Sequence, residues 1–159
     1  MKNLLTIISF LFVFGQSYAH EEIKWTNFND VTDSVKTNPK PVLIFVTADW
    51  CKYCKMQTNS TFSDSTLVKE LNENYYCIKL NEQEKNDITF MNRTYKYVTT
   101  ANGTGYHQLA HLLSKQNGES TFPSTLFLNS NLNFIGKLNG FVDTKTLKNV
   151  ILPEEVSQL

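Results

Sequence analysis

The sequence predicts an α/β fold in which a central mixed sheet carries helices on both faces. Short apolar segments alternate with longer stretches whose apolar residues recur every three or four positions. The run 41–47 is apolar and β-branched, which is typical of a strand buried on both faces of a parallel sheet. Near the C-terminus, two further strands with a short polar turn between them predict an antiparallel hairpin. Together these patterns favour a mixed sheet over an all-parallel or all-antiparallel one.

The first residues are expected to be an export leader. Lys2 gives a positive start, residues 4–14 are apolar, and Ser17-Tyr18-Ala19 has the small residues of a cleavage site. We therefore expect cleavage after Ala19, leaving residues 20–159 as one soluble domain that is periplasmic or secreted. The alternative is an uncleaved anchor, although the apolar stretch is shorter than the ~20 residues that span a bilayer.

The charge composition bears on binding partners. Lysine plus arginine and aspartate plus glutamate number 15 each, so the formal net charge is zero. A chain without an excess of positive charge has no general electrostatic attraction for nucleic acid or for an anionic membrane. We expect no nucleic-acid binding, and we expect a monomer.

The elements of the first half follow in order. A short strand over 21–25 precedes a helix over 27–37, which ends before Pro39. After the apolar strand, a helix is expected from Cys51 to about Thr58, resuming after Ser63 or Asp64, either of which can cap it. Residues 75–80 have the composition of a strand.

The second half is less regular. Residues 81–105 are predicted to form either a helix with a functional loop or a family-specific insertion. An amphipathic helix over 106–115, with Leu109, Leu112 and Leu113 inward, is expected to stop at Gly118. The hairpin over 126–138 and a last helix over 144–152 complete the domain.

Three cysteines define the candidate chemistry. Cys51 and Cys54 are separated by two residues where a strand meets a helix, which predicts a dithiol that can open and close; Cys77 is expected to be a buried bystander or a third redox thiol. The pair could instead be half of a zinc site, but no second ligand pair follows. His107 and His111, one helical turn apart, are expected on the solvated surface rather than on a metal.

A helix start favours a negatively charged sulfur. Unpaired backbone N–H groups and the positive end of the helix dipole stabilise a thiolate at Cys51, and Lys52 and Lys55 add positive charge. We therefore expect an exposed, reactive sulfur at this corner.

These residues give the chain its resemblance to the thioredoxin superfamily. Ala48-Asp49-Trp50-Cys51 with Cys54-Lys55 resembles the active-site turn, residues 79–81 the end of the next strand, residues 121–125 the loop carrying a cis proline, and Gly140 the glycine before the last helix. The likeness extends along most of the chain after residue 19 and is closest to exported bacterial thioredoxin-like proteins.

The resemblance implies a thiol-disulfide oxidoreductase that acts on protein disulfides, with Cys51 as nucleophile and Cys54 as resolving thiol, favouring reduction over oxidation. The redox-active disulfide would be its only redox group, with no separate cofactor or metal, and a membrane thiol-relay protein would supply electrons. Trp50, Phe122 and Pro123 would bind substrate, with a cis Phe122-Pro123 bond. The alternative is a copper-handling or chaperone-like binding module that uses the cysteines as ligands.

Two departures affect the mechanism. Phe45 stands where the family has a buried acid, while Lys79 matches the lysine that this acid usually pairs with. Water or Asp49 would then have to take the proton from Cys54, and Lys79 is expected to be partly neutral or to point outward. An aspartate at position 45 is expected to speed resolution. The residues between the cysteines are Lys52-Tyr53 rather than Gly-Pro.

Overall fold

The computed structural model describes residues 21–101 and 103–151. The helices are α1 (Phe28–Thr37), α2 (Lys52–Ser60), α3 (Ser65–Asn74), α4 (Gln108–Ser114) and α5 (Thr144–Ile151), with a 3-10 turn over Thr61–Ser63. The strands are β1 (Trp25–Thr26), β2 (Val42–Thr47), β3 (Tyr76–Asn81), β4 (Ile88–Phe90), β5 (Arg93–Tyr95), β6 (Tyr97–Thr99), β7 (Gly105–His107), β8 (Lys115–Gln116), β9 (Glu119–Ser120), β10 (Ser124–Leu128) and β11 (Phe134–Asn139).

The central sheet is mixed, as the sequence predicts. Its strand order is β1-β3-β2-β10-β11, with β1, β3 and β2 parallel and β10 antiparallel to both of its neighbours. Ser124 at the start of β10 pairs with Val46 near the end of β2. The loop before β10 therefore lies at the same sheet edge as the turn that leaves β2.

The central strand β2 divides the core. All six of its residues are buried, and they alternate between the two faces because successive side chains of a strand point in opposite directions. Leu43 and Phe45 share one cluster with residues of α3 and α5, while Val42, Ile44 and Val46 share the other with residues of α1 and α4. This double burial explains the continuous apolar run in the sequence.

The start of α3 is fixed by Asp64, one of the two cap residues that the sequence predicts. Its carboxylate accepts the N–H of Leu67 at 2.9 Å and the hydroxyl of Thr66 at 2.7 Å, and it pairs with Lys148 of α5 at 2.9 Å. These hydrogen bonds and the nearby charge hold the pKa of Asp64 well below its usual range. Asp64 thus links two helices on one face of the sheet.

Replacing Asp64 by Ala is expected to lower the free energy of unfolding by about 0.5–2 kcal/mol at pH 7, the range for loss of a helix N-cap. Because the folded-state pKa is depressed, this contribution is present above the unfolded pKa of about 3.9 and is lost as the pH falls through the folded value. Urea unfolding at pH 7 and pH 3 should therefore show a smaller difference at pH 3. Asp33→Ala, which removes an exposed pair with Lys36, is the control and should have little effect. An Asp64→Ala difference that does not change with pH would contradict the charge-based account.

Residues 82–107 contain two small hairpins, so the helix offered as one option for residues 81–105 is wrong. Strands β4 and β5 pair around Met91 and Asn92, which both have positive φ, and β6 pairs with β7. The ring of Phe90 lies 5.0 Å from that of Phe28 of α1 and anchors the first hairpin to the core. Short runs rich in Thr, Tyr and Val favour strands here.

Helix α4 ends earlier than predicted. It stops at Ser114, because the next residues enter the β8–β9 hairpin, whose turn places Asn117 and Gly118 at φ of 51° and 95°. Leu109 is buried as expected, but Leu112 is 51% exposed, so its predicted inward position is wrong. The first strand is also shifted, to Trp25–Thr26.

No helix within residues 21–101 and 103–151 has the length and apolar character needed to cross a bilayer. The predicted leader, the cleavage after Ala19 and the predicted helix end at Leu152 lie outside the described residues.

Candidate redox site

Cys51 and Cys54 form a disulfide at the corner between β2 and α2. Their sulfur atoms are 2.07 Å apart and their Cα atoms 5.3 Å apart. Residues 48–50 turn the chain after β2, and the N–H of Cys51 donates to the carbonyl of Ala48 at 3.0 Å to close this turn. The predicted dithiol is therefore in bonding contact, in its oxidised form.

The sulfur of Cys51 lies at the N-terminus of α2, beside the first turn of the helix. Cys51 is the N-cap residue, and its Sγ accepts the backbone N–H of Cys54 at 3.0 Å. A donated N–H and the positive end of a helix dipole both stabilise negative charge at this position. When the disulfide opens, this geometry favours a thiolate on Cys51.

The expected exposure of this sulfur is wrong for the oxidised form. Cys51 is only 3% exposed and Cys54 only 1%. Both belong to the core cluster of their sheet face, where the buried Ala48 and half-buried Phe122 also pack. Neither cysteine of the oxidised pair therefore presents much surface to solvent.

The aromatic side chains of Trp50 and Phe122 form the rim of the site beside the disulfide. Trp50 is 64% exposed, and its ring meets that of Phe122 edge to face at 5.6 Å. The Phe122-Pro123 bond is cis, as the resemblance implies. Pro123 is buried, and its carbonyl accepts the N–H of Gly140, whose φ of +78° suits glycine. The fold therefore gathers Trp50, Cys51, Cys54, Phe122 and Pro123 at one sheet edge.

Polar residues at the end of β3 and directly after it hold the turn, and sequence reasoning missed this role. Asn81 Nδ2 donates to Asp49 Oδ1 at 2.6 Å, and the N–H of Asp49 donates to Gln83 Oε1 at 3.0 Å. The indole N–H of Trp50 donates to Glu82 Oε2 at 3.1 Å. The available signal was three consecutive polar residues, 81–83, at the end of a strand parallel to β2, because parallel strands end at the same edge of the sheet.

A second missed residue is Gln57 of α2, which is fully buried. Its Nε2 donates to Thr125 Oγ1 at 3.2 Å, and its Oε1 accepts the N–H of Val142 at 3.0 Å. A buried amide with both ends satisfied joins the cysteine-bearing helix to β10 and to the loop before α5. This bridge fixes α2 against the proline loop.

The position of the absent acid is filled by an aromatic cluster. Phe45 is fully buried, with its ring 4.9 Å from that of Phe62 and 6.3 Å from that of Trp25. Lys79, its register partner on β3, is exposed, so the outward alternative predicted for this lysine is confirmed. No carboxylate can therefore act on Cys54 from position 45.

The remaining candidates lie apart from the disulfide. Cys77 is a free, buried cysteine, as predicted, and burial raises the pKa of its thiol to about 12. His107 is fully buried and caps α4, with its Nδ1 accepting the N–H of Leu109, so its predicted surface position is wrong. Burial lowers the pKa of His107. His111 Nδ1 lies 2.8 Å from Ser120 Oγ. Across the described ranges, no three His, Cys, Asp or Glu side chains cluster in a way that could hold a metal ion.

A mixed sheet of this order, a Cys-x-x-Cys disulfide at the start of α2 and a cis proline before β10 define a thioredoxin-like fold of the thiol-disulfide oxidoreductase type. The chain belongs to the Thioredox_DsbH family, described as a protein of unknown function, DUF255, whose model matches residues 9–147.

Individual relatives agree with this assignment. The chain is 31% identical over 86 residues to the thiol:disulfide interchange protein DsbD of Campylobacter jejuni, a match that covers 54% of this chain and 15% of that protein. It is 24% identical over 87 residues to spermatogenesis-associated protein 20 of Mus musculus, covering 54% of this chain and 11% of that protein. The chain thus spans only a small part of the length of these relatives.

Solved structures show the same fold. A thioredoxin from Thermus thermophilus superposes with a TM-score of 0.59 at 14% identity, covering 86% of this chain and 90% of that one. A DsbH oxidoreductase superposes with a TM-score of 0.57 at 15% identity, covering 96% and 94%.

Proposed function

We propose that this protein reduces disulfides of other proteins in an exported compartment. The observation that carries the proposal is the Cys51–Cys54 disulfide at the start of α2, with the Cys54 N–H donated to Cys51 Sγ. The relationship to a thiol:disulfide interchange protein supports the reaction class. The leader-like residues 1–19 support export.

The reaction takes place in two thiol exchanges. The Cys51 thiolate attacks a sulfur of the substrate disulfide; a Cys51–substrate bond forms, the substrate S–S bond breaks, and one substrate thiolate leaves. Cys54 then loses its proton and attacks Cys51 Sγ, which releases the second substrate thiolate. The substrate gains two electrons, and Cys51 and Cys54 return to the disulfide seen in the structure.

The rim suits an extended protein segment. Exposed Trp50 and Tyr53 and half-buried Phe122 supply apolar contact beside the disulfide. Among the described residues, neither the N–H nor the C=O of Phe122 makes a hydrogen bond, so both can pair with a substrate backbone as in strand addition. We propose that the protein acts as a monomer, that the cysteine pair is its whole redox apparatus, and that a membrane dithiol protein recharges it.

The reduction potential of the Cys51/Cys54 couple tests the proposed direction. The protein is equilibrated with dithiothreitol at a series of oxidised-to-reduced ratios, and its thiols are counted by alkylation and mass after acid quench. A potential near the ~−270 mV of thioredoxin is expected, and one near the ~−120 mV of DsbA would assign the protein to disulfide formation instead. Insulin reduction with dithiothreitol accompanies the measurement. Absence of turnover together with tight Cu(I) binding would favour the metal-binding alternative.

A further inference from the structure

A cavity of about 400 Å³ opens beside the disulfide, on the side of α2 that faces the end of β3. Its lining includes Cys54 of α2, Asp49 of the turn and Lys79 of β3. A space of this size, open to solvent and lined by polar groups, readily holds water. The second cysteine and a carboxylate therefore border one hydrated space.

Cys54 needs a proton acceptor at the second exchange. It is 1% exposed, and burial disfavours the charged form of a thiol. Cys77, which lies in the same core cluster, shows the effect of burial on a thiol, because burial raises its pKa to about 12. Position 45 offers no base, because Phe45 is packed against Phe62 and Trp25 there.

The carboxylate of Asp49 is held in place for this task. Its Oδ1 accepts from Asn81 Nδ2 at 2.6 Å, and its backbone N–H donates to Gln83 Oε1 at 3.0 Å. Its Oδ2 has no hydrogen-bond partner among residues 21–101 and 103–151, which leaves this oxygen able to accept a proton from water. The orientation of Asp49 is thus fixed by one oxygen while the other is left for exchange.

We propose that Asp49 accepts the proton of Cys54, through water in this cavity, when the mixed disulfide is resolved. The Cys54 S–H bond breaks, the proton passes by water to Asp49 Oδ2, and the sulfur keeps the electron pair with which it attacks Cys51 Sγ. The Cys51–substrate bond breaks and its electron pair leaves on the substrate thiolate. When an external dithiol reopens the disulfide, Asp49 returns the proton to the departing Cys54 sulfur. This inference rests on the proposed function.

The other charged groups at the cavity act in the same direction. Lys55 of α2 and Lys79 of β3 line it, and their positive charge favours the Cys54 thiolate as it forms. Glu82 stands behind the turn, bonded to Gln83 Nε2 at 2.9 Å and to the indole of Trp50, and does not line the cavity. Among the described residues, Asp49 is therefore the only carboxylate that lines this cavity.

Asp49→Asn is the matched substitution, because the amide keeps the oxygen that accepts from Asn81 and loses the basic one. Reduced protein is mixed with insulin, quenched with acid at successive times, and the mixed disulfide is measured by mass. We expect the mixed disulfide to form at the wild-type rate in Asp49→Asn but to decay about a hundredfold more slowly at pH 7, the lower end of the range for loss of a general base. The difference should narrow toward pH 9–10, where solvent hydroxide deprotonates Cys54. Asp49→Glu should recover most of the rate.

Two control variants distinguish failure of the proposed role of Asp49 from failure of the proposed function. Asp33→Asn, on the exposed face of α1, should behave as wild type, and Cys54→Ser marks the fully trapped species. Wild-type decay in Asp49→Asn, or a slowing by one factor at every pH, would overturn the role of Asp49 and leave the proposed function standing. If no mixed disulfide formed even in Cys54→Ser, the proposed function would fail and this inference with it.

Discussion

Cys51→Ser is expected to abolish reduction of insulin disulfides, whereas Cys54→Ser is expected to hold the substrate as a stable mixed disulfide. The hydroxyl of serine cannot form the sulfur–sulfur bond that the first exchange needs. The loss should be on the order of 10³-fold or more, as for other covalent nucleophiles. In Cys54→Ser the first exchange proceeds, but the second lacks its attacking sulfur.

The two variants are compared by insulin turbidity and by mass of the trapped species. Cys77→Ala is the control, because this third cysteine is buried and belongs to no disulfide. It should retain activity at temperatures where it remains folded. Cleavage by Cys51→Ser at the wild-type rate would contradict the role of Cys51 as nucleophile. A stable mixed disulfide on Cys54 in Cys51→Ser, with none in Cys54→Ser, would reverse the assignment of the two thiols.

Phe45→Asp is expected to destabilise the fold severely. Phe45 is fully buried between the rings of Phe62 and Trp25. Removing a buried phenylalanine side chain costs about 3–5 kcal/mol, and an unpaired carboxylate in its place adds a desolvation penalty. A loss above about 4 kcal/mol is expected, a large part of the 5–15 kcal/mol that stabilises a typical domain.

The effect should depend on pH in a known direction. Burial would raise the folded pKa of the introduced carboxyl above its unfolded value of about 3.9, so the variant is least destabilised below pH 4 and loses stability as the pH rises through the folded pKa. Urea unfolding at pH 4 and pH 7 measures this, with Phe45→Leu as the apolar control. A variant as stable as Phe45→Leu at pH 7 would contradict the packing described here. The sequence alone suggested that an aspartate at this position would speed resolution, but the variant must first fold.

The parts of the fold that were predictable are those set by local pattern. The buried strand β2 and the helix start at Cys51 follow from an apolar run and from the spacing of two cysteines. The cap at Asp64 was one of two named alternatives. The cis bond before Pro123 came only from the family resemblance, because spacing does not determine a peptide isomer.

What escaped prediction depends on contacts between distant segments. The hairpins of residues 81–107 lack strong periodicity, and they are held by packing such as that of Phe90 on Phe28. His107 looks like a surface helix residue in sequence, but its backbone N–H donates to the carbonyl of Glu82 and its side chain is fully buried. The ring contact of Trp50 with Phe122 likewise joins two residues that lie far apart along the chain.

Glu82 connects the aromatic rim to the hairpins of residues 82–107 through two hydrogen bonds. Its side chain accepts the indole N–H of Trp50, while its carbonyl accepts the N–H of His107 at the end of β7. A substitution in these hairpins that moves Glu82 would therefore shift the Trp50 ring without a change of sequence at Cys51 or Cys54.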